Sequence, residues 1–325
     1  MTVLWQPACE LDALRVRAQL LQAIRQFFLQ RGVLEVETPL LSQAVATDPQ
    51  LDFFTTRFHL TPHQQTLYLQ TSPEFAMKRL LAAGSGCIFQ ICKAFRNGET
   101  GRMHNPEFTL LEWYRVGFDL AALMDEVAEL LLMLLAPVGI SHCERISYAR
   151  VFEQHTGLNP LVFDGEAYCA YANSHGLTDA STLCGDDHAL WLDFLFSHCI
   201  QPLLGAGQVT LVYGYPALQS SLAKLNPDDA RVTERVEVFV SGVELGNGYE
   251  ELTDVVEQAR RFELEIATRQ QQGLTPVIKD QRLLAALQSG LPTCSGIAIG
   301  IDRLLMLMSG LSHIDAVLAF PIARA

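Results

Sequence analysis

The sequence predicts an α+β fold in which helices flank a mainly antiparallel sheet. Three observations indicate this fold class. Strand-like segments occur both early and late in the chain, amphipathic helical segments lie between them, and no linker rich in Pro, Gly or Ser divides the chain. We therefore expect a single domain over residues 1–325 with a helical insertion near 141–205, and two domains are the weaker alternative.

The first third of the chain has clear helix and strand signals. Residues 11–31 place Leu14, Leu21 and Phe28 on one stripe of an amphipathic helix, which Gly32 ends. The further predictions are a strand at 33–39 that Pro39 stops, a strand at 67–71, a helix from Ser72-Pro73-Glu74 to Ala83, and strands at 87–96 and 106–115 around a polar loop.

The rest of the chain alternates in the same way. In order, the predictions are a strong helix at 119–135, weakly signalled helices within 141–205, strands at 208–214 and 235–244, a loop at Gly246-Asn247-Gly248, a charged helix at 253–272, a Gly-bearing strand at 296–301 and a helix at Leu304–Met308.

Composition limits the classes of function. The formal net charge is −13 and no dense Lys and Arg cluster occurs, which disfavours stable binding to a phosphate backbone. A few Arg side chains can still hold a small anion such as ATP. We expect no secretory signal at Met1–Leu14 and no membrane span at Leu130–Ile140, which is too short. The eight scattered Cys indicate free thiols and a cytoplasmic location.

The first segment with chemical potential is the polar loop and its flanks. Arg96 stands at a strand end, where its guanidinium can grip a phosphate with two hydrogen bonds. His104 can add a second donor, and Phe108 offers a flat face for a purine. The alternative, which spacing alone favours, is a charged hairpin tip with a core Phe.

The second segment holds three acids spaced seven apart, Glu237, Glu244 and Glu251. Odd spacing puts Glu237 and Glu244 on opposite faces of a regular strand, unless Ser241-Gly242 forms a turn or bulge. With such a turn they can converge on Mg²⁺, which prefers carboxylate and phosphate oxygens. The alternative is a set of solvated surface acids.

Two further segments lie at the starts of helices. In Gly296–Arg303 a Gly-bearing strand enters a helix, a junction that favours anions, and Arg303 can reach a phosphate there. A plain sheet-to-helix junction with a capping Asp is the alternative. At Thr71-Ser72-Pro73-Glu74 the acid either complements the helix dipole or binds a ligand ammonium group.

These segments together resemble the three signature motifs of class II aminoacyl-tRNA synthetases. Motif one resembles Gly32–Pro39, motif two Phe95–Glu112 and motif three Gly296–Arg303. The detail is similar to lysyl-tRNA synthetases, notably at His104–Thr109 and Glu244–Gly248. The resemblance covers nearly the whole chain and implies the class II catalytic fold, ATP and Mg²⁺ as cofactors, and a homodimer built on motif one.

Three departures refine the resemblance. The motifs begin close to residue 1, so no anticodon-binding domain is expected, as in the short lysyl-tRNA synthetase paralogues that attach (R)-β-lysine to a lysine of elongation factor P. Ala298 stands where the tRNA enzymes carry Gly, as in those paralogues, and its methyl can reshape the amino-acid pocket. The adenine-contacting Glu of motif two is replaced by Gly98, with Glu99 next to it.

The resemblance also implies roles for individual residues. Arg96 bridges the α-phosphate and the substrate carboxylate, and Arg303 and His104 hold the outer phosphates. The remaining roles are nucleotide contacts by Asn97, Leu245 and Gly300, stacking of adenine on Phe108, Mg²⁺ binding by Glu237 and Glu244, contacts to the amino acid by Ser72, Glu74, Tyr114, Asn247 and Ala298, and pairing of the ε-ammonium with Glu251.

The activity implied is formation of an acyl-adenylate from ATP and (R)-β-lysine, followed by transfer to elongation factor P. Two alternatives remain. A stripped lysyl-tRNA synthetase would charge tRNA, which the acidic balance and the absent anticodon domain disfavour. A catalytically dead paralogue would act as a regulatory binding module, a reading that Gly98 keeps open and that Arg96, His104, Glu244 and Arg303 oppose.

Overall fold

A computed structural model describes residues 5–60, 63–220 and 222–325. Contacts group these residues into two compact units. The first unit consists of the described residues up to Phe118 together with Thr253–Ala325, and the second is Asp119–Leu252. Whether the whole chain acts as one domain stays a prediction.

The first unit contains five helices and seven strands among its described residues. Its helices are α1 (Leu11–Gln30), α2 (Glu74–Ala82), α8 (Val255–Gln271), α9 (Gln281–Gly290) and α10 (Ile301–Ser309), with 3₁₀ turns at Ile314–Ala316 and Ile322–Arg324. Its strands are β1 (Leu34–Glu35), β2 (Leu41–Ser42), β3 (Thr55–Leu60), β4 (His63–Leu69), β5 (Ile88–Phe95), β6 (Glu107–Val116) and β11 (Cys294–Gly300).

The main sheet of this unit has the order β1-β5-β6-β11. The β1–β5 pair is parallel, and the β5–β6 and β6–β11 pairs are antiparallel. One face of the sheet packs on α1, because the Phe28 ring stacks on Phe89 at 4.6 Å and lies 5.3 Å from Trp113. A small antiparallel sheet, β2-β4-β3, stands apart from the main sheet.

Within its described residues, the second unit contains a four-stranded sheet and a group of helices. Its strands are β7 (Cys143–Ser147), β8 (Val209–Tyr213), β9 (Arg235–Val240) and β10 (Val243–Glu250). Its helices are α3 (Leu120–Leu135), α4 (Tyr148–Thr156), α5 (Gly165–Ser174), α6 (Ala180–Cys184) and α7 (His188–Leu195), followed by a π-helical turn at Phe196–Ile200, with 3₁₀ turns at Ala136–Val138, Gln201–Leu203 and Ala217–Gln219.

Its sheet pairs β7 with β8 in parallel and β8 with β9 and β9 with β10 antiparallel. Aromatic rings fill the core between this sheet and the helices, where Tyr148 stacks on Phe196 at 5.0 Å and lies 4.7 Å from Tyr215. Each unit therefore has a mainly antiparallel sheet covered by helices, and the predicted α+β fold class is confirmed.

The largest correction concerns the segment predicted as a strand at 235–244 and a loop at 246–248. A tight turn at Ser241-Gly242, with φ of 51° and 75°, divides it into β9 and β10. Positive φ at both central residues is the geometry that joins twisted strands most easily. The predicted loop Gly246-Asn247-Gly248 lies within β10, so that prediction is wrong. The pairing of β10 with β9 outweighs the low strand propensity of its glycines.

The other differences are smaller. The strand predicted at 33–39 is ordered as a strand only at Leu34–Glu35, and the predicted helical insertion also contains β7. The strand predicted at 67–71 begins at His63 and belongs to the small sheet, which was not predicted; neither was α9. In the part of the chain that the structure describes, no helix is both long enough and apolar enough to cross a bilayer.

Candidate active site

Two side chains predicted to bind phosphate meet in the first unit. Arg303 lies in the first turn of α10, directly after β11, and its Nη2 is 2.7 Å from Nε2 of His104. Since the guanidinium can only donate, Nε2 of His104 is the accepting nitrogen. The Nε of Arg303 also donates to the Met103 carbonyl at 3.4 Å. The two side chains thus form one basic group near a helix N-terminus, where anions are favoured.

Asp302, the neighbour of Arg303, fixes this junction. Its carboxylate is buried, pairs with the Arg17 guanidinium from α1, and accepts a 2.7 Å hydrogen bond from the Thr109 amide in β6. Asp302 therefore has a structural role, but the predicted alternative of a capping Asp is wrong, because the N-cap of α10 is Gly300 and no side chain caps the helix. The aspartate positions the start of α10 relative to the strand that follows the His104 loop.

Arg96 stands at the end of β5 beside the predicted purine-stacking ring. Its guanidinium carbon lies 5.1 Å from the centre of the Phe108 ring, and Nη1 is 3.7 Å from Oε1 of Glu99. Its Nε is buried without a hydrogen-bond partner. A buried donor without an acceptor is costly, which suits a group that meets a phosphate oxygen on binding.

The loop after Arg96 explains the departure at residue 98. Asn97 is tied twice to Asp52, through its backbone amide to the Asp52 carbonyl at 3.1 Å and through Nδ2 to Oδ2 at 2.8 Å. Gly98 then adopts φ of +76°, which residues with a Cβ rarely adopt. A Glu at position 98 would therefore be strained in this loop. Glu99 is the acid that lies near Arg96.

A buried carboxyl group that was not predicted as a site residue connects Ser72 and Tyr114. Glu112 in β6 is 1% exposed; Oε2 accepts from Ser72 Oγ at 2.7 Å and Oε1 from the Tyr114 hydroxyl at 2.8 Å. Burial and then the charge of Glu74 raise the pKa of Glu112 to about 8, although both hydrogen bonds and the Lys78 charge lower it. The group suits a cationic ligand, whose charge would stabilise the carboxylate.

Glu74 occupies the first turn of α2, as predicted. Its backbone amide donates to Ser72 Oγ at 3.1 Å, and its Oε1 accepts from Lys78 Nζ at 2.6 Å. Lys78 is 2% exposed, so this is a buried ion pair. Glu74, Ser72, Glu112 and Tyr114 thus form one linked polar cluster beneath the start of α2.

The strand β11 supplies the floor beside this cluster. In its antiparallel register with β6, Ala298 lies opposite Glu112, Gly296 opposite Tyr114 and Gly300 opposite Leu110. Directly opposed residues share one face of a sheet, with Cβ atoms about 5 Å apart. The Ala298 methyl is therefore the only β11 side chain between two glycines on the face that carries Glu112 and Tyr114.

In the second unit, the turn at Ser241-Gly242 brings the predicted metal ligands onto neighbouring strands. Glu237 Oε1 accepts from Arg235 Nη2 at 2.5 Å, and Oε2 accepts from the Tyr215 hydroxyl at 2.6 Å. Burial raises the pKa of Glu237 to about 7; Arg235 opposes this, and the Glu244 charge adds to it. Glu244 lies opposite Phe239, two residues along β9 from Glu237, so the turn places both acids on the same face of the sheet.

The remaining predicted residues follow along β10. Asn247 lies directly opposite Glu237, while a bulge between Glu244 and Gly246 leaves Leu245 outside the ladder with β9. The Leu245 side chain is buried, so only its backbone can face a ligand. Glu251 follows β10, is buried, and forms a β-bridge with Ala223.

The donor set suits Mg²⁺ better than a transition metal. Among the described residues, no three His, Cys, Asp or Glu side chains are grouped as a complete metal site. Mg²⁺ is commonly held by one or two carboxylates together with substrate phosphates. Each Glu237 oxygen already accepts one hydrogen bond but keeps a second lone pair. Glu237 and Glu244 therefore fit a magnesium ion that arrives with a nucleotide.

The chain is similar to known proteins over almost its whole length. Residues 10–324 match the model of the family described as tRNA synthetases class II (D, K and N). The chain belongs to this family. The predicted class II resemblance is thereby confirmed over nearly the whole chain, including all three motif segments.

Curated relatives of the chain share the name elongation factor P–(R)-β-lysine ligase. Those from Vibrio atlanticus, Vibrio cholerae and Pectobacterium atrosepticum are 48%, 49% and 46% identical to the chain. The alignments cover 99%, 99% and 100% of the chain and 99%, 98% and 99% of the relatives. The predicted resemblance to this branch of the class II synthetases is confirmed.

Two residues of the polar cluster, Glu112 and Lys78, were not predicted from the sequence. The signal for Glu112 was present, because a single acid interrupts the apolar run from Leu110 to Tyr114 within a predicted strand. An acid in such a run is either buried and paired or marks a functional site. Lys78 gives no comparable signal, since a Lys four residues after a Glu is common on exposed helix surfaces.

Proposed function

We propose that the chain activates (R)-β-lysine with ATP as an acyl-adenylate and transfers it to a lysine side chain of elongation factor P. Relatives that match it over almost their full length are named ligases with this substrate and acceptor, so the chain is an enzyme of the ligase class. The observation that carries the proposal is the basic pair His104–Arg303 in the same unit as the buried Glu74–Glu112 cluster.

The basic groups of the first unit match the charges of a nucleoside triphosphate. Arg303 and His104 would hold the outer phosphates, and Arg96 would bridge the α-phosphate and the substrate carboxylate. Phe108 would stack on adenine, and Asn97 and Gly300 would contact the nucleotide. The buried Nε of Arg96 supports its assignment, because a ligand oxygen would satisfy it.

The acidic cluster matches the ammonium groups of a lysine isomer. Glu74, Ser72 and Tyr114 would contact the amino group nearer the carboxylate, and Glu112 connects Ser72 with Tyr114. Glu251 would pair with the ammonium group at the end of the side chain. Asn247 would lie near the carboxylate. The Ala298 methyl beside Glu112 supports discrimination between the isomers, because the amino group of a β-amino acid is displaced by one carbon.

The reaction needs no nucleophile from the protein. The substrate carboxylate attacks the α-phosphorus, the bond to the bridging oxygen breaks, and pyrophosphate leaves. Glu237, Glu244 and the Leu245 backbone would serve the nucleotide and its Mg²⁺, which supplies charge neutralisation when bound. The lysine amine of elongation factor P then attacks the adenylate carbonyl, AMP leaves, and the amine loses a proton as the amide forms.

Pyrophosphate exchange into ATP tests the first step. Purified protein is given (R)-β-lysine, α-lysine or no amino acid, and exchange is expected to be strongest with (R)-β-lysine. Mass spectrometry of elongation factor P should then show the addition of one lysyl group. A preference for α-lysine with transfer to tRNA would favour the stripped synthetase, and no exchange with either isomer would favour the dead paralogue.

A further inference from the structure

The loop that carries His104 is held from both sides by the C-terminal segment 312–324. Before His104, the Arg102 carbonyl accepts from the Ile314 amide at 2.9 Å, and Arg102 Nη1 donates to the Ser312 carbonyl at 3.5 Å. After His104, Oδ1 of Asn105 accepts from the Ile322 amide at 3.0 Å. The chain is thus tied to the C-terminal segment on both sides of His104, through Arg102 and through Asn105.

The contact between Asn105 and Ile322 is more specific than the contacts of Arg102. The Asn105 side chain is buried, with Oδ1 on the Ile322 amide and Nδ2 donating to the Glu107 carbonyl at 2.6 Å. One end of the amide must accept and the other must donate, so both contacts fix its orientation. Two backbone hydrogen bonds between Gly101 and His104, at 3.1 and 3.3 Å, close the loop as a short hairpin.

We propose that Asn105 and the backbone amide of Ile322 are positioning groups that set the place of His104 for binding the outer phosphates of ATP. This inference rests on the proposed function. His104 has a single carbon between its backbone and its ring, so a shift of the loop moves the ring away from Arg303 by a similar amount. The C-terminal segment therefore acts on nucleotide affinity without touching the nucleotide.

The substitution Ile322→Pro removes the donor and little else. Ile322 is the first residue of a 3₁₀ turn, a position that Pro tolerates because its amide has no partner within the helix. The preceding Pro321 already has φ of −65° and ψ of 165°, the extended conformation favoured before Pro. Ile322→Ala is the matched control, because it keeps the amide and shortens a side chain that is 55% exposed.

The KM for ATP and the KM for (R)-β-lysine are measured in pyrophosphate exchange. Ile322→Pro should raise the KM for ATP about tenfold, since a buried Asn105 oxygen loses its donor, and leave the KM for the amino acid unchanged. Ile322→Ala should match the wild type. An unchanged KM for ATP in Ile322→Pro overturns the proposal, as does an equal rise of both constants.

Two further measurements decide the matter if Ile322→Pro folds poorly or the wild type shows no exchange. Asn105→Ala should raise the KM for ATP to a similar extent, and the double variant should be no worse than Asn105→Ala alone, because both remove the same hydrogen bond. Amide hydrogen exchange of residues 101–105, measured without substrates, should be faster in Ile322→Pro than in Ile322→Ala. Equal exchange would contradict the positioning role independently of enzymatic activity.

Discussion

At the scale of single residues, the pairing of His104 with Arg303 depends on strand register. The two residues are far apart in sequence, and they meet because β11 runs antiparallel to β6 and ends beside the first residues of β6, which directly follow the His104 loop. Asp302 then fixes the helix start by binding Arg17 and the Thr109 amide. The fold thus places a guanidinium against an imidazole with little freedom in either backbone.

Replacing Arg303 tests this arrangement. Arg303→Ala should lower the rate of pyrophosphate exchange at least about a hundredfold, because loss of a charge-stabilising group commonly has this effect. The unfolding midpoint should change little, since Arg303 is only half-buried and Asp302 keeps its partners. Arg282→Ala is the control, because Arg282 lies on α9 and contacts the exposed Gln43 side chain. Retained exchange in Arg303→Ala would contradict its role in phosphate binding.

Ala298 is the residue we expect to discriminate between lysine isomers. Ala298→Gly removes the one methyl that β11 places between Gly296 and Gly300 on the face of Glu112, and should raise the use of α-lysine relative to (R)-β-lysine about tenfold. The measured quantity is the ratio of kcat/KM for the two isomers. Any general loss of stability cancels in that ratio. An unchanged ratio would show that isomer choice is made by other groups.

At the scale of elements, the sequence predicted most helices and strands because their periodicity is strong. The exceptions have local physical causes. Gly246 and Gly248 resemble a loop in composition, but they stay in β10 because the neighbouring strand β9 satisfies their backbone groups. The turn at Ser241-Gly242 depends on positive φ at both residues, which a sequence pattern does not reveal for Ser.

The candidate site could be predicted residue by residue only where a motif carried it. Arg96, His104 and Arg303 followed from the family pattern. The burial of Glu112 depends on the packing of three strands and α2, and the positive φ of Gly98 follows a residue, Asn97, that two hydrogen bonds tie to the distant Asp52. Both properties arise from tertiary contacts.

The helix α8 carries an acid whose titration should change stability. Burial is the main cause that raises the pKa of Glu265 to about 7; the hydrogen bond from the Thr47 hydroxyl opposes it, and the charges of Asp48 and Glu74 add smaller contributions in the raising direction. In the unfolded chain the pKa is near 4.5. Between these values the folded form holds a proton that the unfolded form has lost, so the contribution of Glu265 to stability is greatest below pH 4.5 and falls as pH rises through 7.

Urea unfolding of the wild type and of Glu265→Gln between pH 5 and pH 8 measures this effect. The free energy of unfolding of the wild type should fall by on the order of 3 kcal/mol relative to that of the variant across this range, because the amide resembles the protonated acid and does not titrate. Thr47→Val provides a second check, since removal of the hydroxyl donor should raise the pKa of Glu265 further. Parallel stability curves for the wild type and Glu265→Gln would contradict the assignment.

At the scale of the whole molecule, the net charge of −13 bears on the choice of acceptor. Residues 151–223 include seven acids and contain no Lys or Arg, so this part of the second unit repels a phosphate backbone. Such a surface disfavours tRNA as acceptor and is compatible with a protein acceptor. The negative charge therefore favours a protein acceptor over tRNA, and this argument does not depend on the names of the relatives.

The predicted homodimer has a candidate surface in the segment 29–41 of the first unit. Four leucines there are exposed, with Leu29 at 70%, Leu34 at 55%, Leu40 at 39% and Leu41 at 46%. The segment includes β1, which is the edge strand in the order β1-β5-β6-β11. A run of exposed apolar side chains beside an open strand edge is typical of a surface that another chain covers.

Light scattering after size exclusion tests this surface. The wild type should have the mass of two chains, and Leu29→Glu should shift it towards one chain, because a buried unpaired carboxylate destabilises an apolar contact. Leu264→Glu is the matched control, since Leu264 is 54% exposed on α8 and lies outside the segment. A wild type that stays monomeric at all concentrations would contradict the dimer, whereas an equal effect of both variants would place the interface elsewhere.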